Sequence, residues 1–276
     1  MVLIDQSVQY FPQELGIKGI YKQIERVGRT CYKSEEKITE DSAEPFVNRL
    51  INSGHLSMCE HGTVYMEGAI DIENIKFWQV ANSPYSKVVC DSEDNKIYVT
   101  TNLRVIIENN AMELLGKYLC EPTGHHAKRI TLKFVTSIGV SREGNRHRAF
   151  SVAEQSTRYC NYCKDKFNNN VSFVYPSWYD SKVGNMSKEM DHLFNSWSVA
   201  ENNYKALIKL GWKPQQAREV LPLSTATEVV YTAFEGDWKH FFDLRYRETT
   251  GPAHPNMKEI ATMAHDAIIN FLGKDL

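Results

Sequence analysis

An α+β fold, a largely antiparallel sheet packed with helices, is predicted by three observations: two long alternating stretches, a set of amphipathic helical stripes and an average composition. Ile97, Val99, Thr101, Leu103, Val105 and Ile107 alternate with polar or smaller residues, and Ile130, Leu132, Phe134, Thr136, Ile138 and Val140 repeat the pattern. That period of two belongs to half-buried strands. Between them Ala111 to Leu119 reads as a helix, so the pair is expected in one sheet with one face solvated or helix-covered. Of 276 residues, 42% are hydrophobic and 24% charged, which excludes disorder and membrane spanning as the main character.

The helical stripes are read in order. Ile17, Ile20, Ile24, Val27 and Cys31 share one face of a first helix, which runs into the polar segment Arg29 to Glu36, expected as a loop. Ser42 is placed as the N-cap of a second helix that buries Phe46, Val47, Leu50 and Ile51 and stops at Gly54. Thr63 to Met66 alternates again. Met190, Leu193, Phe194, Trp197, Ala200, Tyr204, Leu207 and Ile208 form the clearest stripe, ended by Gly211. Pro214 opens a short helix carrying Arg218, Val229 to Thr232 reads as a short strand, and Trp238 to Tyr246 as a helix. Pro255 opens the last helix, whose stripe of Met257, Ile260, Ala261, Ala264, Ala267, Ile268 and Phe271 allows close helix approach.

The net charge of −2 means that an anion site must come from local clustering of cations, and binding to nucleic acid at large is disfavoured. The N-terminal Met-Val-Leu-Ile-Asp lacks a basic leader pattern, and no apolar run approaches a bilayer span, so a cytoplasmic protein with no membrane partner is expected. Cys31, Cys59, Cys90, Cys120, Cys160 and Cys163 are scattered and read as free thiols. Cys160 and Cys163 are the one close pair, but no second pair follows at zinc spacing, so no metal is expected. Cys160, near Arg158, is the one thiol whose surroundings could lower its pKa.

Chemistry concentrates in Arg146 to Tyr159, where Arg146, Arg148 and Arg158, His147, the hydroxyls of Ser151 and Ser156 and the carboxylate of Glu154 lie close together. A guanidinium donates two parallel hydrogen bonds to one phosphate, so several arginines suit a ligand with more than one phosphate. Arg-His-Arg alone is usually a solvated surface. The stretch is expected just beyond a strand end, where a rigid scaffold positions functional groups. If 151 to 158 were helical, Ser151, Glu154 and Arg158 would share a face. His55-Leu-Ser-Met-Cys-Glu-His61 is a second polar cluster, without the spacing of a helical metal site.

Arg146-His147-Arg148 followed after seven residues by Ser156, with Glu154, Arg158 and Tyr159 in place, resembles the signature of the flavin-dependent thymidylate synthases. Arg29 to Glu36, Ser53 to His61, Ala217-Arg-Glu-Val-Leu-Pro-Leu and Phe242-Asp-Leu-Arg245 match in the same order. The resemblance implies a single domain over 1–276 of that family's type, with an excursion at about 68–128. It implies reductive methylation of dUMP to dTMP, with methylenetetrahydrofolate as carbon donor, FAD as hydride carrier and NADPH as reductant, in a homotetramer with shared active sites. His55, Ser57, Glu60, Arg146, His147 and Arg148 would line the FAD site. Glu154, Ser156, Arg158, Arg218 and Arg245 would hold dUMP, and Arg245, Arg146 and Ser156 would be catalytic, with no cysteine nucleophile. Arg245 at the pyrimidine could stabilise charge developing on the ring.

The chain departs from the family pattern twice. Glu143 stands where many members have glutamine, and its carboxylate would need a cation such as Arg142 if it lay near phosphate. Phe234-Glu-Gly236 replaces an Asn-x-Arg used near FAD. Those departures motivate an alternative, a non-catalytic nucleotide- or flavin-binding regulator on the same scaffold. Arginines and tyrosines over 146 to 162 motivate a third reading, a module for single-stranded RNA, against which the acidic balance weighs.

Overall fold

The computed structural model describes residues 1–179, 187–273 and 275–276. In chain order the elements are β1 (Val2–Ile4), β2 (Ser7–Tyr10), α1 (Gly16–Tyr32), α2 (Ala43–Asn52), β3 (Thr63–Ala69), α3 (Ile75–Ala81), β4 (Lys87–Asp91), β5 (Lys96–Asn102), α4 (Leu103–Glu108) and α5 (Glu113–Tyr118). There follow β6 (Arg129–Ser137), α6 (Ile138–Gly144), β7 (Ser151–Glu154), β8 (Ser172–Val174), α7 (Lys188–Lys209), α8 (Pro214–Ala217), β9 (Ala226–Phe234), α9 (Glu235–Arg245) and α10 (Pro255–Leu272). Among the described residues no helix is long and apolar enough to cross a membrane.

Both sheets with more than two strands are antiparallel, as expected: a four-stranded sheet ordered β2-β6-β9-β7 and a three-stranded sheet ordered β3-β5-β4. The two alternating runs do not share a sheet, contrary to the sequence expectation. β6 has β2 and β9 on its two sides, the latter paired from Arg129 with Phe234 to Ser137 with Ala226, so no edge is left for β5. β5 is instead the centre of the second sheet, between β3 and β4.

Both runs also end sooner than their alternation does. Asn102 Oδ1 accepts from Val105 N at 3.2 Å, and Ser137 Oγ accepts from Val140 N at 3.3 Å. Each polar side chain caps a helix at the point where the strand stops. Helices of six and seven residues are too short to display a period of 3.6, which is why the alternation seemed to run on. In consequence Arg-His-Arg follows a helix, α6, rather than a strand end.

The four-stranded sheet is covered on both faces. Ile130, Leu132, Phe134, Val229 and Tyr231 pack with Trp238, Phe241 and Phe242 of α9 and Met257, Ile260, Ala261, Ala264 and Ile268 of α10. On the other face Ala153 and Val230 meet Val27 and Cys31 of α1, with Phe11. A strand buried on both faces loses its alternation, so β9, with the burial of nine consecutive residues nearly continuous, showed only its middle four in the sequence. Trp238 is fully buried and its Nε1 donates to Ile130 O at 3.1 Å.

The excursion packs as a layer of its own. Val64, Met66, Ile97 and Val99 of the three-stranded sheet share a core with Ile20 and Ile24 of α1, Phe46 and Val47 of α2, and Phe77, Leu103, Ile106 and Leu114. α1 therefore lies between two cores and joins them. A third core gathers Tyr162, Phe173, Trp197, Tyr204 and Ala217 around α7. The segment Arg29 to Tyr32 is still helical, and α1 ends at Lys33 in the left-handed region, φ 49°. Gly54 follows α2 at φ 72°, a conformation that favours glycine. Ser42 stands at the N-terminus of α2 as expected, but its hydroxyl donates to Glu25 Oε2 at 2.7 Å instead of capping the helix.

Candidate active site

Residues 151–154 are a strand, not the helix considered from spacing. β9 exposes a row of backbone donors and acceptors on this side, and pairing of Ser151 to Glu154 with Thr232 to Val229 satisfies them. In a strand, residues at 151 and 154 face opposite ways. Ser151 is buried and lies 3.4 Å from Arg129 Nη2, whereas Glu154 turns towards α6. Ser141 Oγ donates to Glu154 Oε1 at 2.7 Å, Thr227 Oγ1 donates to the same oxygen at 3.1 Å, and Asn145 Nδ2 lies 3.5 Å from Oε2.

Tyr231 secures that arrangement from below. Its hydroxyl lies within hydrogen-bond reach of Ser141 O and of Asn145 Oδ1, at 3.2 and 3.1 Å. The ring passes so close to α6 that a Cβ on Gly144 would sit 2.3 Å from Tyr231 Oη. Glycine at 144 is thus required by close approach, and the signal was invisible in the sequence.

Beyond Glu154 the chain turns through Gln155 to Arg158. Gln155 N donates to Glu228 O at 2.7 Å and Ser156 N to Cys31 O at 2.8 Å, so the turn is tied both to β9 and to the end of α1. That contact gives the Arg29 to Glu36 match a structural role: the end of α1 positions Ser156. Ser156 Oγ accepts from Arg158 N at 3.3 Å. Arg218, delivered by the turn after α8, donates from Nη1 to Thr157 Oγ1 at 2.9 Å. Glu154, Ser156, Arg158 and Arg218 all line one cavity of about 530 Å³, together with Ser141 and Arg142.

A second cavity, of about 330 Å³, is lined by Arg146, His147, Arg148, Asp237, His240 and Arg245. His147 is buried, and burial together with the charges of Arg245 and His240 pushes its pKa down to about 4, so it is neutral near pH 7. Arg245 Nε donates to His147 Nε2 at 3.3 Å, which places the single imidazole proton on Nδ1. Arg245 Nη1 pairs with Glu143 Oε2 at 3.3 Å. The partner of Glu143 is therefore Arg245, not Arg142. Arg146 and Arg148 are exposed and have no carboxylate within ion-pair distance among the described residues.

A third cavity of about 510 Å³ adjoins the second through Arg148, Ala149, Phe150 and Asp237, and also includes Glu60, Arg104 and Arg129. Arg129 is the residue that sequence reasoning missed. Its Nη1 donates to Glu60 O at 3.0 Å, its guanidinium lies 5.5 Å from the centre of the Phe234 ring, and burial lowers its pKa to about 10, still charged near neutrality. Standing at the polar start of an alternating run, it looked like a strand boundary.

The structure thus brings the expected residues together only in part. Four of the five nucleotide candidates converge, while Arg245 lies with the Arg-His-Arg residues on the opposite side of α6. Glu60 reaches the third cavity, with its Oε1 paired to Arg104 Nη1 at 2.7 Å. His55 and Ser57 are exposed on the turn before β3 and line none of these three cavities. The thiol expectation for Cys160 is overturned: it is 1% exposed, and burial raises its pKa despite the cations Lys166 and Lys33 nearby.

Residues 123–270 match the family of the thymidylate synthase complementing protein, Thy1, over more than half of the chain. The chain belongs to this family. The Thy1 match begins in the last residues of the excursion, takes in β6 and covers most of α10. The flavin-dependent thymidylate synthase of Synechocystis sp. is 26% identical over 150 residues, 49% of this chain and 63% of that protein. The flavin-dependent thymidylate synthase of Geobacter sulfurreducens is 28% identical over 127 residues, 44% of this chain and 51% of its own length. The chain thus spans between about half and under two thirds of these relatives. A solved structure of the UMP/dUMP methylase PolB from Streptomyces cacaoi, bound with 5-Br dUMP, aligns over 98% of this chain and 93% of its own, at 16% identity and TM-score 0.45.

Proposed function

We propose that this chain is a flavin-dependent methyltransferase that converts dUMP to dTMP, with methylenetetrahydrofolate as carbon donor and NADPH as reductant. The observation that carries the reading is the convergence of Glu154, Ser156, Arg158 and Arg218 on one cavity from two separate segments of the chain, beside a family match that includes them all. Arg218 and Arg158 present two cations to a phosphate, and Ser156 adds a neutral donor. Glu154 accepts from Ser141 and Thr227, so its carboxylate is held away from that phosphate while one edge remains for a ring N–H or sugar hydroxyl.

The residues fit a flavin dinucleotide. Arg146 and Arg148 are exposed cations without carboxylate partners among the described residues, and the second and third cavities run into one another at Arg148, which suits a long anionic ligand. Bound there, FAD would supply hydride chemistry that no side chain offers. The protein's own part is orientation and charge: neutral His147 accepts from Arg245, and Arg245 keeps a cation where negative charge on a ring could be stabilised.

Arg245 and the nucleotide cavity lie on opposite sides of α6, which supports the homotetramer with shared active sites, in which a second subunit would complete each one. Residues 1–276 act in this reading as a single domain, the excursion included. The alternative, a regulator that binds nucleotide without turnover, draws on the Glu143–Arg245 pair, since a paired guanidinium is less available to substrate. Release of tritium from 5-tritiated dUMP, with methylenetetrahydrofolate and NADPH present, separates the two. FAD and dUMP binding without any release would favour the regulator.

A further inference from the structure

The third cavity has a wall that the family match does not include. Together with Arg148 and Phe150 it is lined by Tyr85, in the turn between α3 and β4, and by Lys87, the first residue of β4, both of the excursion. Ser86 stands between them and is pinned inward: its Oγ lies 2.7 Å from Val80 O and 2.8 Å from Thr101 Oγ1. Ser83 O accepts from Ser86 N at 2.9 Å, closing the turn that carries Tyr85, and Tyr85 and Lys87 both line the cavity on this fixed backbone. Tyr85 is 66% exposed, so its ring is open to a ligand in the cavity.

Charge in the cavity favours an anion. Its carboxylates Glu60 and Glu108 are both taken by Arg104, at 2.7 and 2.8 Å, and Asp237 is the remaining acid. Lys87, Arg129 and Arg148 have no carboxylate partner within ion-pair distance among the described residues. The Lys87 ammonium lies 5.7 Å and the Arg129 guanidinium 5.5 Å from the centre of the Phe234 ring, so the cations gather at one end of the cavity while Tyr85 offers an aromatic face. Aromatic rings beside cations suit a nucleotide, whose base stacks while its phosphate pairs.

We propose that the excursion supplies one wall of a dinucleotide site, with Tyr85 stacking on the ligand's aromatic ring and Lys87 pairing with its phosphate opposite Arg148. The inference rests on the flavoenzyme reading, and two dinucleotides share this chemistry, the flavin cofactor and the nicotinamide reductant. The test is equilibrium binding of FAD and of NADPH to the flavin-free chain, with dUMP binding measured alongside, in the wild type and in Tyr85→Ala, Lys87→Ala and the conservative pair Tyr85→Phe and Lys87→Arg.

Each alanine variant is expected to weaken one of the two dinucleotides by roughly tenfold, with the conservative variants near wild type and dUMP binding unchanged. The dinucleotide that weakens identifies which one the wall holds. Wild-type affinity for both dinucleotides in folded Tyr85→Ala and Lys87→Ala would overturn the inference and leave the flavoenzyme reading standing. A wild-type chain that takes up no FAD would instead overturn the flavoenzyme reading.

Discussion

On one side of α6, Glu154 is fixed by two hydroxyls, Arg158 lies over the Tyr159 ring, and Arg218 donates to Thr157 with the exposed Glu219 carboxylate 3.9 Å away. On the other side, Arg245 is clipped between a neutral imidazole and the carboxylate of Glu143. The first cavity fixes Glu154 by hydroxyls and gives Arg218 only a long, exposed ion pair, which suits capture of a phosphate. The second holds its cation in a mixed environment, which suits a charge that must act during a reaction. α6 separates the two, with Ser141 holding Glu154 on one cavity and Glu143 holding Arg245 on the other.

Arg245→Ala should lower turnover by on the order of a hundredfold, as expected for loss of a cation aimed at developing charge, while FAD stays bound. Loss of FAD in that variant would move Arg245 from the substrate to the flavin. Arg218→Ala should weaken dUMP binding by about 1.5 to 3 kcal/mol in calorimetry and leave FAD affinity unchanged. An equal loss for FAD would mean that the two cavities are not separate.

Gly144→Ala forces a Cβ to 2.3 Å from Tyr231 Oη and should cost about 1 to 3 kcal/mol of unfolding free energy, recovered in part by Tyr231→Phe. If Gly144→Ala unfolds like the wild type, the helix and sheet are not locked as the geometry requires. A smaller effect comes from His147. Its folded pKa of about 4 lies below the unfolded value of about 6.5, so the unfolded state binds the extra proton first. Stability should therefore fall as pH drops from about 6.5 towards 4, and be complete above that window. His147→Gln should flatten part of this slope in melts run across pH, with buried His61, lowered to about 3, contributing in the same direction. Glu143→Gln, at a half-exposed ion pair, should change stability by less than about 1 kcal/mol.

Much of the fold was legible because helices advertise themselves. The stripes of α1, α7, α9 and α10 were read within a few residues of their ends, since each buries apolar residues at helical spacing, and α1, α7 and α10 also have a glycine or proline at or near a boundary. Sheets were harder. β9 is buried on both faces and so carries no alternation, and β7 is a strand only because β9 offers it an edge. Short capped helices hid inside the alternating runs at Asn102 and Ser137.

The site was legible by motif and not by geometry. The spacing of Arg146, Ser156 and Arg218 named residues that do meet in cavities, but nothing in the chain announced that Glu143 would find Arg245 about a hundred positions away. Arg129 escaped for a similar reason: its partners, Glu60 O, Thr63 and Ser151, come from other elements.

The most direct test of the two-cavity account is the absorption spectrum of the purified protein, titrated with dUMP. The account expects a yellow protein, or one that becomes so with FAD, whose flavin bands shift saturably as dUMP fills the cavity of Glu154 and Arg218, with the shift displaced to higher dUMP in Arg218→Ala. A colourless protein that takes up no FAD would contradict it.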